Sequence, residues 1–121
     1  MAETTLFDDS GAPVAYISDD AESNIYLWSG VAVAYIVDSH IYGFNGKHLG
    51  WFDQGIAWDE KGHPVGFVRS VCPKMAKLEP LKKLKKLLKL KSLRKLAPLR
   101  PLNKRAVSGW PLEEFLKQGA K

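Results

Sequence analysis

A single frame recurs four times in the first 70 residues, and few folds can accommodate it. It runs Phe7-x3-Gly11-x2-Val14-Ala15-Tyr16, then Tyr26-x3-Gly30-x2-Val33-Ala34-Tyr35. Tyr42-x3-Gly46-x2-Leu49-Gly50-Trp51 and Trp58-x3-Gly62-x2-Val65-Gly66-Phe67 complete the set, with glycines 19, 16 and 16 residues apart. An aromatic residue, a short polar stretch closed by glycine and a second aromatic strand describe a β-hairpin. The glycine supplies positive φ, as in a type I turn closed by a glycine bulge. Asn45-Gly46 also suits a two-residue type I′ turn, so that hairpin has two candidate registers. Pro13 and Pro64 lack an N–H and belong at an edge or an unpaired site.

One hairpin alone is marginal in water, so four similar ones must share a core. The simplest arrangement is a mainly β fold with the hairpins around a pseudo-fourfold axis. Side chains alternate faces along a strand. The recurrent small residues Ala15, Ala34, Gly50 and Gly66 are therefore expected in a crowded centre. The neighbouring aromatics face the other way and supply most of the buried area.

The hairpins "IYLWSGVAVAYI" and "IYGFNGKHLGWF", the long Leu/Lys/Pro stretch and the closing "GWPLEEFL" resemble the bacterial four-fold beta-flower proteins. That resemblance implies four hairpin petals and says little about activity. The tail departs from the proline-rich form the resemblance implies, with Pro80, Pro98 and Pro101 but no proline between 81 and 97.

The tail has its own pattern. Leucines stand at every third position from Leu78 to Leu102, with Leu88 as the extra one. On an α-helix that spacing drifts by roughly 60° per leucine and paints the whole cylinder. A polyproline II helix, with about three residues per turn, keeps the leucines in one stripe. The three prolines each precede a stripe leucine and hold the phase. Leu, Lys and Arg are nevertheless good helix formers, which leaves a helix over 81–97 as the alternative.

Charge splits the chain near residue 70. Residues 1–70 carry three basic and ten acidic residues, a net charge of −7, and residues 71–121 carry fifteen basic and three acidic, a net charge of +12. The units expected are a four-hairpin domain over 1–70, a basic tail over 71–105 and a short helix within 106–121. In the extended form the leucine stripe is expected to pack on apolar surface of the head while lysines meet its acids. Pro111 suits the first helical position, Glu113 and Glu114 the first turn, and Gly119 the stop. Leu112, Phe115 and Leu116 then share a face that wants burial against the head or a second subunit.

Catalytic chemistry is not indicated. His40, His48 and His63 match no metal-ligand spacing, and Asp8, Asp9, Asp59 and Glu60 fall in turns, where carboxylates are ordinary. Cys72, the single cysteine, has no histidine near it in sequence, allows no internal disulfide and fits a reducing compartment. The glycines punctuate hairpins and make no phosphate-cradling loop. No catalytic, cofactor or metal site is expected. The start "MAETTLFDDSG" has no apolar leader segment, and no run reaches the ~18 apolar residues that span a membrane; a cytoplasmic location is expected.

These features describe a non-enzymatic structural or interaction module whose basic tail packs on its own acidic head or on a protein partner, with a homo-oligomer also compatible. The alternative is sequence-independent binding of a polyanion through Lys82, Lys83, Lys85, Lys86, Lys89, Lys91, Arg94, Lys95 and Arg100. Nucleic acid ranks above an anionic membrane surface in that role, and the lack of interleaved aromatics offers no base stacking.

Overall fold

In the computed structural model, which describes residues 3–121, eight antiparallel strands close into one barrel in sequence order. Met1 and Ala2, part of the N-terminal stretch read above for a leader, lie outside that range. The strands are β1 (Thr4–Phe7), β2 (Pro13–Ile17), β3 (Asn24–Leu27) and β4 (Ala32–Val37), followed by β5 (His40–Gly43), β6 (His48–Asp53), β7 (Ile56–Asp59) and β8 (Pro64–Phe67). A helix, α1 (Leu112–Lys117), ends the chain.

All four repeat hairpins use one turn. Gly11 donates to the Asp8 carbonyl and Asp8 to the Ala12 carbonyl; the same pair of bonds links Gly30, Leu27 and Val31, then Gly46, Gly43 and Lys47, then Gly62, Asp59 and His63. The four glycines have φ of +88°, +92°, +88° and +90°. This is the type I turn with a glycine bulge, including at Asn45-Gly46, where the type I′ option is not taken. Each hairpin has a second bulge, where Val14, Val33, Leu49 and Val65 fall between register pairs, and Pro13 and Pro64 stand beside it opposite Phe7 and Trp58. At the opposite end, Asp38-Ser39 and Gln54-Gly55 have positive φ at both positions and make two-residue reversals between petals.

Alternation then sorts the faces. Leu6 pairs with Ala15, Ile25 with Ala34, Ile41 with Gly50 and Ala57 with Gly66, so each petal sets a larger or equal side chain against a small one inside the barrel. Leu112, Phe115 and Leu116 of α1 are fully buried in that same core. The helix thereby plugs the barrel mouth of its own chain and does not await a second subunit. Pro111 caps the helix from an extended conformation (φ −62°, ψ 143°) and does not occupy its first turn. Gly119 serves packing: a β-carbon there would stand 2.5 Å from the Gly43 Cα and 2.8 Å from the Val33 carbonyl oxygen. The aromatics Tyr16, Tyr26, Tyr35, Tyr42 and Trp51 lie on the outer wall, yet they too are buried. What covers them is the tail.

Candidate interaction surface

Residues 75–104 form neither helix nor strand; the helix considered over 81–97 is absent. The segment runs past the four hairpin tips in order. The amides of Lys77, Lys86, Lys95 and Lys104 donate to the carbonyls of Gly11, Gly30, Gly46 and Gly62 at 2.8–2.9 Å. Four contacts spaced nine residues apart thus meet four turns. A β-carbon on any of these glycines would collide with the carbonyl oxygen of Met75, Leu84, Leu93 or Leu102, again nine residues apart. The turn glycines therefore admit both a left-handed backbone and the close approach of the strap.

Three residues per repeat give the strap three edges, and each has a separate task. One edge carries these amides together with those of Lys83 and Ser92, which donate to Trp28 and Phe44. Pro80, Pro98 and Pro101 belong to this edge at positions that make no such donation. The second edge lies on the aromatic wall. Lys82 sits over Tyr16 and Trp28 at 4.9 and 5.1 Å, Lys85 over Tyr26 at 5.0 Å, Lys91 over Tyr35 and Phe44 at 4.4 and 5.2 Å. Arg94 covers Tyr42 at 5.8 Å and Arg100 covers Trp51 at 5.9 Å. The negative ring faces attract these cations, whose methylene stems cover apolar surface. Their charged ends continue to Glu3, Glu22 and Asp53: Lys85 to Glu3 at 2.7 Å, Lys91 to Glu22 at 2.8 Å and Arg100 to Asp53 at 3.2 Å. Hydrogen bonding to Glu3 raises the pKa of Lys85, that from Lys91 lowers the carboxyl of Glu22, and burial raises the phenols of Tyr16 and Tyr26.

The third edge is the leucine stripe, and it faces away from the head. The nine leucines from Leu78 to Leu102 are 86–98% exposed, and Met75 continues the line. The expectation that this stripe packs on the head is thus reversed. The head's outer wall is aromatic, and cations with long stems, not leucines, are what it receives. Leu88, out of phase with the stripe, is on the wall edge and is the least exposed of the strap leucines at 46%.

The candidate polyanion-binding residues consequently divide. Lys82, Lys85, Lys91, Arg94 and Arg100 are turned to the wall, while Lys83, Lys86, Lys89 and Lys95 lie on the amide edge with exposed residues. Lys89 donates from Nζ to the carbonyl of Lys121 at 2.6 Å. The nine-residue recurrence of Lys77, Lys86, Lys95 and Lys104 is the sequence signal that the period-three reading passed over.

The histidines and carboxylates are also placed. Glu60 Oε2 lies 2.7 Å from His48 Nδ1, and His48 Nε2 lies 3.0 Å from His40 Nδ1. Burial, and then the neighbouring His48, lower the pKa of His40. His63 Nδ1 donates to the Ala106 carbonyl at 2.8 Å, far from a shared ligand role. Among the described residues no three ligating side chains converge. Asp8 and Asp59 accept backbone amides of their own turns. Asp59 and Ser108, bonded at 2.7 Å, line an open cleft of about 520 Å³ beside Trp110, His63 and Glu114. Cys72 is free, with Sγ 3.6 Å from the Asp8 carbonyl oxygen.

Fold and tail together define a class: a small closed β-barrel made from one repeated hairpin, followed by a basic leucine-bearing tail. The chain belongs to the 4-fold beta flower protein family, whose model matches residues 4–116. No curated protein and no solved structure matches it. Among the described residues no helix is long and apolar enough to cross a membrane.

Proposed function

We propose that the protein is a non-enzymatic interaction module in which the basic tail packs on its own head and holds out an ordered leucine edge. The single observation that carries this reading is the nine-residue lock: four strap amides on four turn-glycine carbonyls, with the leucines outward. A chain fixed at that interval cannot rotate about its own axis without breaking all four contacts, so the leucines are held away from the head along the whole strap. Polyanion binding is less well supported, because five of its nine candidate cations are engaged with rings or carboxylates of the head.

Amide hydrogen exchange on the full chain tests the reading. The Lys77, Lys86, Lys95 and Lys104 amides should exchange slowly, while those of Lys89 and Leu90, which make no bond to the head's backbone, exchange faster. Uniformly fast exchange from 75 to 104 would refute it.

A further inference from the structure

A single file of nine leucines, each 86–98% exposed, is an uncommon thing to leave in water. At roughly 100 Å² of apolar surface per leucine the stripe amounts to ~900 Å². The largest apolar patch on an ordinary soluble monomer is about 300–600 Å², and one side of a standard interface buries about 800 Å². Because the strap passes the four tips of a closed barrel, that area is an apolar ridge along the outer wall, and a docking partner meets it a stretch at a time. Its charge surroundings narrow the occupant. Between Glu79 and Glu113 the chain has no carboxylate at all, and Lys83, Lys86 and Lys95 stand beside the leucines with exposed residues. A second copy would bring its own cations against these, so a symmetric pairing of stripes is opposed by charge. The surface wanted is apolar beneath and anionic at the rim.

We propose that the leucine stripe docks the protein on an anionic phospholipid surface, resting on the reading that the strap is held to its own head. Leucines one turn apart, at about 9 Å intervals, each enter a soft acyl layer separately and need no preformed pocket. The neighbouring lysines meet the phosphates. Leu alternating with Lys is a composition found in segments that lie in a membrane interface. A tail whose leucines were buried on the head would offer lipid only charge; the outward stripe supplies the apolar half of the contact.

The test is cosedimentation of the full chain with vesicles of phosphatidylcholine alone and of phosphatidylcholine mixed with phosphatidylglycerol. Binding is expected to the mixed vesicles and to fall with salt. The triple variant Leu87→Ser, Leu90→Ser, Leu93→Ser should bind at least ~tenfold more weakly with its melting temperature retained. A second variant, Lys83→Gln with Lys86→Gln and Lys95→Gln, should weaken binding to the mixed vesicles and reduce its salt dependence. Absence of wild-type binding to mixed vesicles overturns the proposal, as does binding indifferent to the leucine substitutions. A wild-type dimer that the leucine variant dissociates, without vesicle binding, assigns the stripe to a second copy and equally overturns it. Slow strap exchange combined with no vesicle binding defeats the docking alone; fast strap exchange defeats the reading beneath it.

Discussion

Replacing Lys91 by serine should cost far more than replacing its neighbour Leu90 by serine, contrary to any ranking by hydrophobicity. The Lys91 ammonium lies 4.4 Å from the Tyr35 ring centroid and 5.2 Å from that of Phe44, and its side chain is only 21% exposed. A partly desolvated cation over an aromatic face is worth ~0.5–2 kcal/mol, and the covered methylene stem is lost with it. The ion pair to Glu22 stands in solvent, where such pairs contribute little. We expect a loss of ~1–2 kcal/mol, which for a chain of this size lowers the melting temperature by about 4–8 °C. Leu90, 86% exposed, touches little, and its replacement should stay within ~0.5 kcal/mol of wild type. Thermal unfolding followed by near-ultraviolet circular dichroism reads both, because Tyr35 and Phe44 report the site. Equal melting of the two variants, or a larger loss for Leu90→Ser, would refute the assignment of the strap's edges.

Gly30→Val forces a β-branched residue to φ +92° and into the Leu84 carbonyl; it should lower the melting temperature clearly and speed exchange at the Lys86 amide, and a wild-type melting curve would contradict the turn geometry. Gly119→Ala should cost ~1–3 kcal/mol by pressing α1 off Gly43, measured by urea unfolding. Ala34→Leu should destabilise the fully buried barrel interior by a similar amount, while Lys61→Gln should not, in the same assay. The Glu22 carboxyl is held below the ordinary range by Lys91, so its contribution is present above the ordinary carboxylate value and lost as pH falls through the depressed one. In Lys91→Ser its NMR titration should move back up; an unchanged midpoint would separate the two residues.

The hairpins were legible because each is a local object. Turn glycine, flanking aromatics and the small interior residue all lie within a dozen positions, and their spacing leaves little choice. The strap was legible as a period but not as an orientation. Leu, Lys and amide edges are equivalent in a sequence of period three, and only the facing surface decides among them. That surface is aromatic, and aromatic faces take cations as well as alkyl groups, so burying the leucines was the wrong default. The plug was half legible: the face of Leu112, Phe115 and Leu116 asks for burial, but the barrel mouth that accepts it exists only once β1 and β8 meet. Their single register pair, Phe7 with Phe67, leaves no pattern in the chain. Arg69 over Phe7 at 5.1 Å, bonded at 2.9 Å to Glu79, which accepts from Thr5 at 2.8 Å, ties that seam through Arg69, Glu79 and Thr5, which the repeat does not include.

The order in which the chain visits its own turns has a consequence during synthesis. The four hairpins emerge first, and the strap passes them afterwards in the same order, from Gly11 to Gly62. Until residues 70–104 have followed, the outer girdle of Tyr16, Tyr26, Tyr35, Tyr42 and Trp51 has nothing over it. At about 5–20 residues per second that interval lasts roughly 2–7 s. A nascent head that folds before its strap emerges therefore carries a sticky aromatic belt for seconds, a hazard that the covered wall of the finished protein does not have. Slow codons placed within the strap would lengthen the hazard, and a strap supplied in trans would shorten it.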